Sequence, residues 1–156
     1  MRKDAAAALV TMFKAGKSAG AGSMAMASGY RSYSTQYSVY WHRVSTHGRA
    51  YADAWIARPG YSEHQTGLTL DIEPVGSSTC SAHNCLGSTS QGRWLKSNAW
   101  RYGFVLRYES GYTGVTGYNP EPWHFRYVGT PLSTDYHAGG WHTLEQYFGL
   151  PAAPTY

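Results

Sequence analysis

The chain has 156 residues, of which 42% are hydrophobic, and its formal net charge at pH 7 is +4. This length and apolar content fit one domain around a single buried core. The basic residues are scattered and form no run, which disfavours a nucleic-acid-binding protein, and no apolar stretch approaches the roughly 18 residues that cross a bilayer. Abundant glycine, proline and aromatic residues predict a loop-rich α+β fold.

Hydrophobic periodicity and turn residues predict five helices and four strands. In chain order they are helix 3–15, strand 23–28, helix 35–46, helix 50–57, strand 68–72, helix 89–101, strand 104–108, strand 123–128 and helix 143–148. Ser34 or Thr35 is the expected cap of the second helix, and Pro74 is expected to interrupt the second strand. The glycine-rich stretch 109–120 predicts a hairpin or a long loop.

The two cysteines, Cys80 and Cys85, lie close together in a segment rich in Ser, Thr, Gly and Asn. Their proximity in a flexible loop favours a local disulfide over two free thiols, and such a bond implies an oxidising compartment. A competing interpretation makes Cys80, His83 and Cys85 a metal site. That set lacks a fourth ligand at a recognisable spacing.

Two of the seven histidines stand in a pattern suited to metal binding. His64 precedes Asp71 by seven residues, with Gly67 between them, and His124 follows Glu121 by three residues. Two imidazoles and one carboxylate form a zinc set with one position open for water, as a hydrolytic site needs, and Glu121 suits a general base beside it. Spacing alone leaves coincidence open, because such His–Asp pairs also occur by chance. The histidines without such a pattern are His42, His47, His83, His137 and His142.

The same segments resemble the signatures of a known family. Residues 62–71, SEHQTGLTLD, resemble the Ser-x-His-x-x-Gly-x-Ala-x-Asp motif of the D-alanyl-D-alanine carboxypeptidase family that includes VanY. Residues 121–124, EPWH, resemble its second motif, Glu-x-x-His, and the two occur in the family's order. The resemblance covers nearly the whole chain and includes residues 28–32, 102–108 and 144–151.

The resemblance implies a zinc peptidase, related to Hedgehog-type and lysostaphin-type domains. The implied fold is a single α+β domain in which a small central antiparallel sheet carries the zinc site and helices flank it. The implied ligands of one Zn²⁺ per chain are His64, Asp71 and His124. Glu121 is then the catalytic base and later the acid.

Three further residues match positions of the family that act on the substrate. Arg31 matches the catalytic arginine that faces the scissile carbonyl or the terminal carboxylate, while Gln36 and Ser62 match polar residues that hold the substrate's end. A guanidinium suits this task because it can bind a carboxylate through two hydrogen bonds. Structural interpretations stay open: Arg31 as a surface residue, Gln36 as a solvent-facing helix residue and Ser62 as a turn residue.

The sequence departs from the family motif at Thr69, where the motif has Ala. By strand alternation Thr69 shares a face with Asp71, and its hydroxyl can hydrogen-bond near the metal. The ligand assignment is unaffected, but the local fit and the substrate preference are put in question. Trp123 and Tyr127 are expected to be core or cleft-wall residues.

The implied activity is removal of the terminal D-alanine from peptidoglycan stem peptides by a monomeric, secreted bacterial enzyme. The opening residues predict a helix already under way, so we expect 1–156 to be one catalytic domain excised from a longer secreted protein. One alternative is a peptidoglycan endopeptidase of the phage-lysin type, which needs a cleft open at both ends. Another is a non-catalytic zinc-containing binding module, which has no need of a base such as Glu121.

Overall fold

The computed structural model describes residues 1–77, 80 and 83–155. The helices are α1 (Lys3–Ser18), α2 (Tyr33–His47), α3 (Arg49–Trp55), α4 (Ser90–Asn98), α5 (Thr113–Thr116), α6 (Thr130–Ala138) and α7 (Leu144–Tyr147). The strands are β1 (Ser23–Ser28), β2 (Thr69–Val75), β3 (Phe104–Tyr108) and β4 (Glu121–Tyr127). Short 3₁₀ turns occur at Glu63–Thr66, His83–Ser88 and Ala99–Tyr102.

The four strands form one antiparallel sheet in the order β1-β2-β4-β3. In the register of the two central strands, Leu70 lies opposite Phe125 and Asp71 lies opposite His124. Because consecutive residues of a strand point to opposite faces, Leu70 and Ile72 enter the core while Asp71 lies on the other face. The expected α+β fold with a small antiparallel sheet is therefore confirmed.

One hydrophobic core joins the sheet to the helices on its inner face. Leu9 and Met12 of α1 and Leu95 of α4 pack with Leu70 and Phe125 of the central strands. Full burial of such side chains is worth about 1.5–3 kcal/mol each, so this layer holds the two central strands firmly in place. The polar face of the same strands is left to carry the site.

Several local predictions need correction. The cap of α2 is Ser32, whose side chain accepts a hydrogen bond from the Thr35 N–H, and is neither Ser34 nor Thr35. β2 continues through Pro74, because β2 pairs with β4 over Thr69 to Asp71 and with β1 up to Val75. Proline's missing N–H can then face the side without a strand.

The other differences concern short helical segments. Helix α6 was not predicted, the stretch 109–120 contains α5, and a 3₁₀ turn at Glu63–Thr66 precedes β2, where no helical segment was expected. The predicted helix 89–101 is divided into α4 and a 3₁₀ turn. Within the described ranges, no helix has the length and hydropathy that crossing a membrane requires.

The disulfide prediction is confirmed: the Sγ atoms of Cys80 and Cys85 are bonded. A metal site made of these two cysteines and His83 is therefore excluded, because sulfurs in a disulfide are not available as thiolate ligands. His83 instead packs edge-on against Trp123, with ring centroids 5.1 Å apart.

Candidate metal centre

The polar face of the sheet brings together the three side chains that the sequence singles out. His64 comes from the 3₁₀ turn before β2, Asp71 from β2 and His124 from β4. One nitrogen or oxygen of each lies within 4.8 Å of those of the other two, and all three residues are buried. His64 Nε2 is 3.4 Å from Asp71 Oδ2, and His124 Nδ1 is 3.3 Å from Asp71 Oδ1.

Hydrogen bonds on the outer side of the two imidazoles fix which nitrogen faces the cluster. His64 Nδ1 lies 2.7 Å from the Gly29 carbonyl oxygen, to which it can donate, so Nε2 is left for the cluster. His124 Nε2 lies 3.3 Å from Glu63 Oε2, so Nδ1 is left. Metal-binding histidines commonly donate their second N–H to a carbonyl or a carboxylate in this way.

The charges of the cluster suit a cation. Burial raises the pKa of Asp71, but the adjacent imidazoles of His124 and His64 outweigh it and hold that pKa far below the usual range. Burial lowers the pKa of His124, but the adjacent carboxylates of Asp71, Glu121 and Glu63 raise it well above its ordinary value. Three carboxylates around one imidazole favour a positive charge at this place, which a bound divalent metal would supply.

One atom of the cluster tests directly whether a metal fits. Oδ1 of Asp71 is buried, and although His124 Nδ1 lies 3.3 Å away, no described residue donates a well-aligned hydrogen bond to it. A buried carboxylate oxygen without a partner is costly and calls for an explanation, such as an ion. Two imidazole nitrogens and this oxygen are donors that Zn²⁺ prefers, so the residues present fit the metal.

Glu121 lies beside the cluster at the start of β4. Its Oε2 atom is 3.3 Å from His124 Nδ1, and the residue is only 8% exposed. It lines the same cleft as the three cluster residues. A carboxylate here could accept a proton from a water molecule held by a metal at the three cluster residues.

Arg31 also faces the cluster, held by its neighbours. Its Nη1 donates to Gln36 Oε1 at 2.9 Å, its Nη2 donates to Ser28 Oγ at 3.0 Å, and Nη2 is 3.8 Å from Asp71 Oδ2. Gln36 is buried, and its Nε2 donates to the Ala57 carbonyl at 2.7 Å. Gln36 is thus not a solvent-facing helix residue, and Arg31 is not an ordinary surface residue.

Ser62 completes this side of the site. It is 6% exposed, immediately precedes the 3₁₀ turn that carries His64, and lines the cleft. Its side chain makes no cap hydrogen bond to that turn. The Ser62 hydroxyl therefore does not cap the turn, which is the usual role of a serine at such a position.

Sequence reasoning missed Glu63, which anchors the outer side of the site. Arg107 Nε donates to Glu63 Oε1 at 2.9 Å, Arg126 lies 3.0 Å from the same oxygen, and Glu145 forms further hydrogen bonds with Arg107. Burial raises the pKa of Glu63, but the hydrogen bond from His124 and the charges of Arg107 and Arg126 hold it far below the usual range. Glu63 is thus a permanent carboxylate behind His124.

The cleft has a volume of about 720 Å³. Its lining includes residues of α2 and α3, Tyr108, Tyr118 and the segment 120–123. Trp123 is a cleft-wall residue, as expected, and Tyr127 packs against the core. A cleft of this size admits a short peptide next to the cluster.

The remaining histidines have ordinary structural surroundings. His47 stacks on Tyr51, His137 stacks on Trp100, and His142 lies 3.4 Å from Glu109. His83 lines the cleft, although its sequence context gave no sign of this.

Comparison with known proteins settles the family. Residues 1–130 match the family model of VanY, D-alanyl-D-alanine carboxypeptidase. The chain belongs to this family. It is also 43% identical over 148 residues to a putative carboxypeptidase, YodJ, of Bacillus subtilis, covering 95% of this chain and 53% of that protein. The chain thus spans about half the length of this relative.

Two solved structures superpose closely on this fold. That of the LD-carboxypeptidase LdcB has a TM-score of 0.86 at 43% identity and covers 96% of this chain and 68% of its own. The second structure is a mutant of the vancomycin-resistance D,D-pentapeptidase VanY in complex with Zn(II). It has a TM-score of 0.81 at 34% identity, and the match covers 95% of this chain and 83% of that one. The fold is therefore shared with a zinc-bound D,D-pentapeptidase and with an LD-carboxypeptidase.

Proposed function

We propose that the chain is a zinc-dependent carboxypeptidase that releases the terminal D-alanine of peptidoglycan stem peptides. The observation that carries the proposal is the meeting of His64, Asp71 and His124 within 4.8 Å, beside Glu121, in a peptide-sized cleft. His64 would bind zinc through Nε2, His124 through Nδ1 and Asp71 through a carboxylate oxygen. Membership of the VanY family and the zinc-bound VanY structure support this assignment.

Glu121 carries the protons. Zinc, when bound, supplies a Lewis acid and makes a water molecule more acidic. Glu121 accepts a proton from this water while the water oxygen forms a bond to the scissile carbonyl carbon. Glu121 then donates the proton to the departing amine as the C–N bond breaks. The products are free D-alanine and a peptide one residue shorter. No covalent bond to the chain is needed.

Arg31 holds the anionic end of the substrate. Its hydrogen bonds to Gln36 and Ser28 fix the guanidinium next to Asp71, where it can bind the terminal carboxylate or stabilise the oxyanion. Gln36 uses its oxygen on Arg31 and one N–H on Ala57, so it acts chiefly by positioning Arg31. Ser62 contributes a further hydroxyl to the lining of the cleft.

We also propose that residues 1–156 form one catalytic domain of a secreted bacterial protein that acts as a monomer on the cell wall. The disulfide between Cys80 and Cys85 supports an oxidising compartment. All the proposed ligands and the base come from a single chain, so the site needs no second copy.

A second candidate is an LD-carboxypeptidase, which the similarity to LdcB favours. The two candidates differ in which stem peptide loses its terminal residue. The test is mass spectrometry of stem pentapeptide, stem tetrapeptide and wall fragments after incubation with the zinc-loaded protein. Release of one D-alanine from the pentapeptide supports the D,D-activity, and release from the tetrapeptide alone supports the LD-activity. Internal cleavage would indicate the endopeptidase, and the absence of any product would favour a binding module.

A further inference from the structure

The cleft continues from the candidate metal centre along one face of α2. Gln36, Val39 and Arg43 of this helix all line the cleft. Val39 and Arg43 follow Gln36 by three and seven residues, so the three side chains lie on one face of the helix. From α3, Tyr51 and Trp55 line the same wall beside Arg43.

Arg43 is a cation without a counter-charge. Its guanidinium lies over the ring of Tyr51, 5.9 Å from the centroid, and no ion pair or hydrogen bond involves it within the part of the chain that the structure describes. α2 contains no Asp or Glu. Arg31, in contrast, is held by Gln36 and Ser28. A half-buried arginine facing a cleft with no acidic partner is well suited to an anionic ligand.

Two aromatic side chains give this cation a defined surrounding. The ring of Tyr51 stacks on His47 with centroids 4.7 Å apart and contacts Trp55 at 6.3 Å. Neither the Tyr51 hydroxyl nor the Trp55 N–H has a hydrogen-bond partner across the described ranges. Arg43, Tyr51 and Trp55 thus offer three kinds of donor from one wall, and their rings can cover the apolar part of a bound chain.

The distance along the helix sets which substrate residue this wall meets. Seven helical residues separate Gln36 from Arg43, which corresponds to a rise of about 10 Å. An extended peptide advances about 3.3 Å per residue, so the same distance spans about three residues. A peptide whose terminal carboxylate is bound beside Arg31 and Gln36 and which runs along α2 brings its third preceding residue to Arg43.

We propose that Arg43, Tyr51 and Trp55 form an upstream subsite that binds a free carboxylate on the substrate, about three residues before its terminal residue. The proposal rests on the carboxypeptidase function proposed above, because it takes the terminal carboxylate to lie at Arg31. It makes the enzyme selective for peptides that carry an acid, and against the same peptides with an amide, at this upstream position.

The test compares two peptides that end in D-Ala-D-Ala and differ in one group. One carries a glutamyl residue with a free carboxylate three positions before the terminus, and the other carries the carboxamide. The parent protein should have a kcat/KM about tenfold higher for the acid, through KM, as expected for a charge-assisted hydrogen bond. Arg43→Gln should abolish this preference with kcat little changed, and Arg43→Lys should keep part of it.

Arg49→Gln is the matched control. Arg49 follows α2 and lies over Trp41, 5.3 Å from the ring centroid, and it is not part of the cleft wall. The Arg49→Gln substitution removes one positive charge from the same pair of helices, and it should leave the preference for the acid peptide intact. Equal turnover of acid and amide by the parent, an equal loss in Arg43→Gln and Arg49→Gln, or a loss confined to kcat would each overturn the subsite.

A binding measurement separates failure of the subsite from failure of the proposed function. Calorimetry with the same two peptides on zinc-loaded Glu121→Ala, which should bind them without hydrolysis, reports the preference independently of turnover; Arg43→Gln is introduced into the same background. No turnover together with a preference for the acid that Arg43→Gln removes would keep the subsite and refute the carboxypeptidase. Turnover without any preference, in rate or in binding, would keep the carboxypeptidase and refute the subsite.

Discussion

Nε2 of His124 lies 3.3 Å from Oε2 of Glu63, a residue adjacent in sequence to His64 but located behind the other imidazole. Glu63 is held in turn by Arg107 and Arg126. The carboxylate therefore accepts the outer N–H of His124 and leaves Nδ1 free to face Asp71. Such a partner fixes the orientation of the ring and makes it a better metal ligand.

We predict that Glu63→Gln lowers zinc affinity by about tenfold or more, the usual scale for loss of a carboxylate behind a metal-bound histidine. Competition with a fluorescent zinc chelator measures the affinity. The matched control is Arg126→Gln, which removes an ion pair of Glu63 but not its hydrogen bond to His124. If both variants lost affinity equally, Glu63 would act through stability of the fold and not through His124.

We predict that the purified protein binds one zinc per chain and that His124→Ala loses it after dialysis against a mild chelator. The reason is that the three donors are close enough to share one ion, and removing one leaves two. Elemental analysis by mass spectrometry gives the stoichiometry. His142→Ala is the control, because the His142 side chain is half exposed, lies beside Glu109 and is not one of the three cluster residues. Full occupancy in His124→Ala would show that the ligand set is wrong.

The residues of the candidate site that could be predicted are those that stand in a short sequence motif. The spacing of His64, Asp71, Glu121 and His124 is visible in two short segments, and the structure brings these side chains together. Glu63 is different, because nothing near it in sequence reveals its partners. Its contacts with Arg107 and His124 span 44 and 61 residues, and they exist only once β3 and β4 are in register with the turn before β2.

The same distinction holds for the fold. β1 and α1 have strong periodic patterns, and both were predicted close to their observed bounds. Helix α6 was missed because it buries mainly Ser133 and Tyr136, which leaves little hydrophobic periodicity. Its remaining signal was Pro131 in the first turn, a position that proline favours.

We predict that a terminal carboxylate is required for turnover. A peptide ending in D-Ala-D-Ala should release D-alanine, and its C-terminally amidated form should be a poor substrate, because Arg31 would have no anion to bind. Arg31→Ala should lose activity mainly on the free-acid peptide, so its turnover of the free-acid and the amidated peptide should differ less than in the parent. Chromatographic assay of the released residue measures both. Equal turnover of the amidated peptide by the parent would point to the endopeptidase.

We predict that Thr69→Val stabilises the metal-free protein by roughly 1 kcal/mol, the scale of one buried hydroxyl left unpaired. Thr69 is fully buried, and its hydroxyl has no hydrogen-bond partner among the residues described. Valine has a similar shape and suits a strand. Denaturant unfolding in the presence of chelator measures the free energy of unfolding. Thr89→Val is the opposite control, since that hydroxyl donates to the Leu86 carbonyl at 2.7 Å and caps α4, so it should destabilise.

Glu121→Ala should separate binding of the metal from its use. Glu121 lies next to His124 but outside the three-residue cluster, so the variant should keep its zinc and fold while losing about a hundredfold or more of its turnover, the scale of general acid–base catalysis. His64→Ala should instead lose zinc and activity together. Peptide affinity of Glu121→Ala should stay near that of the parent, because Arg31 still holds the carboxylate.

Zinc content, turnover and peptide affinity are best measured on one preparation of Glu121→Ala, with Glu73→Ala as the control. Glu73 lies on β2, two residues beyond Asp71 and outside the cleft lining, so its loss changes the net charge equally without touching the cluster. Near-normal turnover in Glu121→Ala would exclude this residue as the base. Loss of zinc would make it a ligand, and Asp71 would then have to hold the proton or orient a histidine, because a hydrolytic site keeps one zinc position open.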